Sequence, residues 1–325
     1  MEQSTEQEAV VEGPDPGLIA VVREGLSAPQ KTLPPWLLYD TEGSRIFEAI
    51  TRVEEYYPTR VEREIFRQEG EDLVARASGG NASTWVELGA GTARKTQVLL
   101  DAAVRRRVSV DYVPVDVSPQ PLAEATVRLS HELPSVHVQP VVGDNLEAVR
   151  VLSEVGGRRV VLFIGSSIGN YEADAAVDLL RRIRAPLAEG DALVLSTDLR
   201  KPLEVLLPAY DDASGVTAAF NLNLLTRLNR ELGADFDRNR FRHRARWNEE
   251  ASRIEMHLES LVPQTVHLPA AELTIHFDRG ETLHTESSHK YGGEQVQSLL
   301  REAGFRLEHP FVDPRGWYAV NLARV

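Results

Sequence analysis

Five short apolar runs constrain this chain more than any other feature: each closes on glycine or a small polar residue, and each of the first four is followed by a helix-like stretch. They are Thr84-Trp-Val-Glu-Leu88 before a pair of glycines, Val110-Asp-Tyr-Val-Pro-Val115 before Asp116, Val136-His-Val-Gln-Pro-Val-Val142 before Gly143-Asp144, Arg159-Val-Val-Leu-Phe-Ile164 before Gly165-Ser-Ser167, and Ala192-Leu-Val-Leu-Ser-Thr197 before Asp198. Helix-like segments fill 92–104, 119–132, 145–153 and 172–188. Strands alternating with helices predict an α/β fold with an open, mostly parallel, Rossmann-like sheet. Right-handed crossovers bring all the strand carboxyl ends to one edge, which is where such sheets bind ligands. The residues to examine first are therefore Gly89, Asp116, Asp144, Ser166 and Asp198.

The flanks follow a different rhythm. Helices are predicted over 18–30, 44–51 and 58–77, and 203–232 reads as helical with a break at Asp211-Asp-Ala-Ser-Gly215. Ile254–Val266 and Leu273–Phe277 alternate like antiparallel strands. A helix over Gly293–Ala303 and strands at Arg306–Pro310 and Trp317–Leu322 can rejoin the sheet. The predicted organisation is a flexible tail over 1–17, a split substrate-binding domain from 18–60 and 199–286, and a ligand-binding sheet domain from 61–198 and 287–325.

Composition narrows the function. The 325 residues contain no cysteine, which excludes disulfides, thiolate metal sites and a cysteine nucleophile. The net charge of -13 disfavours nucleic acid as a partner, and the short arginine runs at 105–107 and 181–182 read as solvated helix faces. There is neither the basic start and apolar run of a signal peptide nor an apolar stretch of membrane-spanning length. A cytoplasmic monomer acting on a small molecule is expected, with no obligate protein partner.

Glu87-Leu-Gly89-Ala-Gly91 joins the first strand to a helix start. Glycine admits close approach of a ligand to the backbone, and a helix N-terminus favours negative charge. A dinucleotide fingerprint needs a third glycine at 94, where this chain has Arg94. The loop alone is equally a tight turn with no ligand, and a single strand-end Asp is often only a helix cap. Several strand ends together favour S-adenosylmethionine as cofactor. Asp116 is placed to accept from ribose hydroxyls, Asp144 with Asn145 to meet the adenine, and Lys95 to neutralise the methionine carboxylate. Gly89 and Gly91 form the loop itself.

Further motifs carry a resemblance over nearly the whole chain. They include Leu33-Pro-Pro-Trp-Leu-Leu-Tyr-Asp40, Glu55-Tyr-Tyr-Pro-Thr-Arg60, Gly165-Ser-Ser-Ile-Gly-Asn170, Ala209-Tyr-Asp-Asp-Ala213, Gly215-Val-Thr-Ala-Ala-Phe-Asn221, Arg253-Ile-Glu-Met256 and Thr285-Glu-Ser-Ser288. Together they resemble the histidine-specific Nα-methyltransferases of ergothioneine biosynthesis, which have a class I methyltransferase fold. The resemblance implies methyl transfer from S-adenosylmethionine to the α-amine of L-histidine, up to the trimethylated betaine hercynine. It assigns Glu286 and Ser288 to the imidazole, Met256 to the pocket boundary, Asn170 and Tyr210 to the amino-acid end, and Tyr39 and Tyr56 to the ring and amine. Asn145 stands where an aromatic residue can occur in that family, and Ser118 where an acid can.

A neutral imidazole has one N–H donor and one acceptor, which Glu286 and the Ser288 hydroxyl can satisfy. In-line displacement at a sulfonium methyl needs chiefly alignment, with Tyr39 and Asn170 as the amine-orienting candidates and no certain catalytic base. Phe47 or Tyr39 can face a methylated ammonium. The rival readings are another amine such as a tryptophan derivative, a nicotinamide oxidoreductase, and a non-catalytic binding module. His284, His289 and Glu286 lie close in sequence without a distinctive ligand spacing, so no metal is expected.

Overall fold

A computed structural model describes residues 15–325. Most of the predicted tail over 1–17 lies outside the described residues. Its last three residues are not tail: Asp15 caps the first helix and Pro16 and Gly17 begin it.

The elements, in chain order, are α1 (Pro16–Ser27), α2 (Thr41–Ile50), α3 (Tyr57–Ser78), β1 (Ser83–Leu88), α4 (Thr96–Arg105), β2 (Val110–Asp116), α5 (Pro119–Glu132), β3 (His137–Val138), β4 (Val141–Val142), α6 (Asn145–Glu154), β5 (Arg158–Phe163), α7 (Ala173–Arg184) and β6 (Ala192–Asp198). After these come α8 (Leu203–Tyr210), α9 (Val216–Leu232), β7 (Phe241–Asn248), β8 (Arg253–Ser260), β9 (Gln264–Leu268), β10 (Leu273–Phe277), β11 (Thr282–His289), α10 (Gly293–Glu302), β12 (Arg306–Val312) and β13 (Tyr318–Arg324).

The main sheet runs β12-β13-β6-β5-β1-β2-β3, with β4 also on β2. From β6 to β4 all pairings are parallel, and β13 enters antiparallel between β6 and β12. This is the Rossmann-like sheet expected from the alternation. Both faces are covered. Trp85, Tyr112, Val160 and Leu162 point into one apolar cluster, and Val86, Leu88, Val113, Val161 and Phe163 into the other. That period-two division is the signature of a sheet buried on two sides. The strand order reverses at β1, whose neighbours are β2 and β5. Such a switch point leaves a crevice at the strand carboxyl ends.

Several expectations are corrected. The predicted third strand over 136–142 is two short bridges, β3 and β4, because Pro140 between them has no N–H for the ladder. The helix placed at 92 starts at Thr96, since Gly89, Gly91 and Ala93 all have positive φ and hold the loop out of helical geometry. The single strand over 254–266 is β8 and β9, in different sheets. The charged strand β7, Phe-Arg-His-Arg-Ala-Arg-Trp-Asn, carries no clean apolar alternation and was not legible. Positions 60 and 286, expected as unit boundaries, lie within α3 and β11, so both elements continue from one expected unit into the other.

Outside the main sheet, β11-β8-β7 forms a three-stranded antiparallel sheet and β10-β9 a pair. The N-terminal segment lies against them. Thr32 bridges His284, and Leu33 N–H donates to the His284 carbonyl at 2.9 Å. Asn223 and Arg230 of α9 each donate to Asp40 at 2.7 Å, the residue that caps α2.

At Gly43 in α2, helix propensity and packing disagree, and the packing decides. Alanine would gain about 1 kcal/mol of propensity. Its Cβ, however, would lie 1.8 Å from the Leu38 carbonyl oxygen, a backbone atom. We expect Gly43→Ala to destabilise the protein by about 1–3 kcal/mol net, read as a lower urea midpoint; an unchanged or higher midpoint would show that the α2 junction yields.

Candidate active site

The β1–α4 loop and the strand ends beside it build one half of the site. Gly91 N–H donates to Asp116 at 2.8 Å, and Ser118 N–H donates to its other oxygen at 2.8 Å. Asp116 thus pins the loop to the end of β2. Each carboxylate oxygen keeps a further lone pair, so Asp116 can still accept from a diol. A Cβ built at Gly89 or at Gly91 meets nothing within 4 Å. The space beside the loop is open, and a ligand can reach bare backbone there.

Asp144 uses one oxygen to cap α6, accepting from Leu146 and Glu147 N–H. It is a helix cap, and both cap bonds fall on Oδ1. Asn145 donates to the Tyr171 hydroxyl at 2.6 Å and keeps its amide oxygen. Lys95 donates to Glu62 at 2.7 Å. Glu62 is itself buried and accepts from Gly165 N–H at 2.8 Å and from the Tyr318 hydroxyl at 3.0 Å. The Lys95 charge at the loop edge is thus already paired with Glu62. These residues fit S-adenosylmethionine: an open glycine loop, an acid with spare acceptor capacity and an ammonium at the loop edge.

The second half is a cavity facing the β5 and β6 strand ends. Tyr39, Phe47, Tyr56 and Tyr210 form an aromatic wall, and Asn170, Ser166, Asp198, Glu286 and Ser288 supply polar groups. The rings meet edge to face: Tyr39–Phe47 at 5.4 Å between centroids, Phe47–Tyr56 at 6.2 Å and Tyr56–Tyr210 at 6.3 Å. Burial raises the Tyr39 and Tyr210 hydroxyl pKa values well above the usual range, so neither is a base near neutral pH.

A β-bulge delivers Glu286 to this cavity. His284 stands opposite His257 and Glu286 opposite Met256, with the register shifting between them. His257 and Met256 are neighbours on β8 and so face opposite sides. The extra residue, Thr285, therefore turns Glu286 away from the His284 face. The Thr285 hydroxyl fixes the bulge by donating to the Met256 carbonyl at 3.0 Å. Once inside, the Glu286 Oε2 has no hydrogen-bond partner among the described residues. Burial pushes its pKa up to about 7, against the opposing field of Lys290. A buried acceptor without a donor is a place for a ligand N–H.

Met256 is buried and pairs with Glu286 across β8 and β11, so the two side chains share one face of the sheet; Met256 is not among the residues that line the cavity. Asn170 ends a short 3-10 turn over Ser167–Asn170 and lines the cavity. The three residues His284, His289 and Glu286 do not converge. His284 donates to the Glu286 carbonyl, His289 to the Gly169 carbonyl, and Glu286 faces the cavity. Among the described residues, the group with ligand-type atoms within 4.8 Å of one another is Glu255, His257 and His284.

Sequence reading missed Lys290, Lys201 and Tyr57 beneath the cavity. Lys290 is fully buried and donates to Asp198, Tyr210 and Ser288. Asp198 also accepts from the Tyr57 hydroxyl at 2.6 Å and pairs with Lys201. Burial alone would raise the Asp198 pKa, but Lys290 and Lys201 together outweigh it and hold the carboxyl below its usual range. The signal for Lys290 was present: it continues the two-residue alternation of Glu286 and Ser288.

A family model described as histidine-specific, SAM-dependent methyltransferase matches residues 18–325. The chain belongs to that family. It is 43% identical over 302 residues to the histidine N-alpha-methyltransferase of Mycolicibacterium smegmatis, covering 93% of each chain. It is 41% identical over 314 residues to the histidine N-alpha-methyltransferase of Mycobacterium tuberculosis, covering 96% of this chain and 97% of that one. It is also 28% identical over 283 residues to ergothioneine biosynthesis protein 1 of Schizosaccharomyces pombe, covering 85% of this chain and 36% of that protein. As a SAM-dependent methyltransferase, the chain has its glycine loop and its aromatic cavity on the same sheet edge, as transfer between two bound molecules requires.

In this histidine-specific methyltransferase the lone Glu286 carboxyl has a stability cost. A group lifted from 4.5 to about 7 contributes fully when protonated, below about pH 4.5, and that contribution is lost as pH rises through 7. The loss is about 3 kcal/mol by pH 8. We expect Glu286→Gln to be more stable than the parent at pH 8, with the gap closing toward pH 5. Glu87, also raised to about 7 by burial, contributes the same background slope to both proteins. Parallel urea midpoints of the two proteins across that range would show that Glu286 is not isolated.

Proposed function

We propose that this chain transfers methyl groups from S-adenosylmethionine to the α-amino nitrogen of L-histidine, up to the trimethylated betaine hercynine, an early step of ergothioneine biosynthesis. The observation that carries the reading is the unpartnered Glu286 carboxylate, two residues from the Ser288 hydroxyl on one face of β11 inside an aromatic cavity. A carboxylate and a hydroxyl at that spacing suit the two nitrogens of one imidazole. A site built to hydrogen-bond such groups discriminates strongly against rings that lack them, because its own polar groups are then left unpaired.

S-adenosylmethionine supplies an electrophilic methyl whose sulfonium is already activated as a leaving group. Gly89 and Gly91 hold the cofactor backbone-close, Asp116 accepts from its ribose, Asp144 and Asn145 meet its adenine, and Lys95 donates to its carboxylate. Tyr210 and Asn170 bind the carboxylate end of histidine, and Asn170 with Tyr39 orients the amine. The raised Tyr39 pKa leaves deprotonation of the amine to water. The faces of Tyr39, Phe47 and Tyr56 receive the growing ammonium through cation–π contact, which tolerates loss of N–H donors as methyls accumulate.

We further propose that residues 18–60 and 199–286 act as the substrate-binding unit and 61–198 with 287–325 as the cofactor-binding unit. The ties from Thr32, Leu33 and Asp40 to β11 and α9 support the first grouping. No helix among the described residues is long and apolar enough to cross a membrane. The proposed working form is a cytoplasmic monomer with L-histidine and the cofactor as its ligands.

Mass spectrometry after incubation with S-adenosylmethionine and each common amino acid should find mono-, di- and trimethylation on histidine alone; methylated tryptophan beside untouched histidine would sink the reading. Glu286→Ala should raise the KM for histidine about 10- to 100-fold, with the KM for the cofactor changed less than about twofold.

A further inference from the structure

The Lys290 ammonium has three N–H donors, and all three are engaged inside the protein: the Asp198 carboxylate at 2.8 Å, the Tyr210 oxygen at 2.7 Å and the Ser288 oxygen at 2.8 Å. The two hydroxyls also contact each other at 2.8 Å. Both line the cavity.

Proton counting on this triangle is restrictive. The hydroxyls own two protons and four lone pairs. Lys290 takes up one lone pair on each oxygen. The mutual contact uses one proton and one further lone pair. One proton and one lone pair are left, and they must sit on different oxygens. If Tyr210 donates to Ser288, then Ser288 donates into the cavity and Tyr210 accepts. If Ser288 donates to Tyr210, the roles reverse. Two outward donors would leave no hydrogen between oxygens held 2.8 Å apart by one ammonium.

We infer that Tyr210 and Ser288, clamped by Lys290, form a one-proton coupling that makes Ser288 an acceptor whenever Tyr210 donates to the substrate carboxylate, so that bound histidine must bring a proton to the ring nitrogen facing Ser288. The inference rests on the assignment of Tyr210 to the carboxylate and of Glu286 and Ser288 to the ring. With one ring N–H given to Ser288, the other nitrogen faces Glu286, and those two groups share one further proton, held as imidazolium and carboxylate or as imidazole and carboxylic acid. Above pH 7 the free ring is neutral and the free Glu286 is ionised, so binding draws a proton from solvent. The titratable groups around Glu286 are Lys290 on its own chain segment and Tyr39, Tyr56 and Tyr210 from the N-terminal segment, the loop before α3 and α8. Asp198 on β6, with Lys201, stands behind Lys290.

The trimethylated betaine is the probe, because its quaternary nitrogen has no proton of its own to confuse the count. Calorimetric titration of the full-length protein with the betaine at pH 8, in buffers of different ionisation enthalpy, should show uptake approaching one proton per molecule bound. Its Kd should rise about tenfold per pH unit above 7.5. Tyr210→Phe removes the partner that holds the Ser288 proton and frees Ser288 to donate to a neutral ring. Uptake should fall below about half a proton and the pH dependence should flatten, although the changed group does not itself titrate in this range. Ser288→Ala, which removes the acceptor, should lower the uptake as well. Betaine binding without proton uptake, or Tyr210→Phe behaving as the parent, overturns the coupling and leaves the substrate reading standing. No binding of the betaine or of histidine by the parent protein overturns both.

Discussion

The buried charge cluster centred on Asp198 is the interaction on which the rest of the site depends. Asp198 ends β6, so the parallel sheet fixes its position. Lys290 reaches it from the residue just past β11, Lys201 from the loop that follows β6, and Tyr57 from the start of α3. Two distant chain segments, and the loop that directly follows β6, are thereby tied to one strand end. Ions buried this deeply are costly to desolvate, and removing one partner of such a cluster typically costs about 3–5 kcal/mol because the others are left uncompensated. The arrangement is weak evidence for added stability and better evidence for defined geometry: it joins the three-stranded sheet to the main one at the place where the substrate cavity forms.

From that joint the polarity of the cavity follows. Lys290 commits all its donors below the cavity floor, so the hydroxyls above it have a defined proton inventory. Glu286 lies on the same face, its Oε2 receives no donor from the described residues, and burial raises its pKa to about 7. The cavity thus has one polar end with its hydrogen bonds nearly filled and one with an open acceptor, set between aromatic rings. A polar group that is buried and unsatisfied lowers the stability of the empty protein and becomes satisfied only with the ligand present. Here the cost to the fold and the capacity for recognition have the same origin.

Much of the scaffold was legible because it obeys local periodicity. The strand cores at 84–88, 110–115 and 192–197 lie within β1, β2 and β6, the core at 159–164 overruns β5 by one residue, and the strand ends carry the residues that face the cleft. The strands that failed did so for identifiable reasons. Pro140 interrupts the third, and β7 alternates arginine with residues that are only half buried, so its pairing with β8 depends on partners far away in sequence. Asp144 and Lys95 show the limit for single residues. Each lies close to the strand carboxyl ends, yet one is a helix cap and the other is already paired with Glu62.

The sequence by itself determined the parallel sheet, the glycine loop and the side of the sheet on which chemistry can occur, because strand alternation, turn glycines and strand-end acids are local signals. It also held the residue types that resemble a histidine pocket. Only the tertiary structure decided which of them enter the cavity. A bulge at Thr285 reverses the facing of Glu286 relative to His284 and sets it on the Met256 side of the sheet. Lys290 became part of the site only when β6, α8 and β11 were brought within hydrogen-bond reach of one ammonium. The physical reason is that facing and hydrogen-bond partnership are properties of strand register and of contacts between distant segments, which residue identity and spacing do not specify.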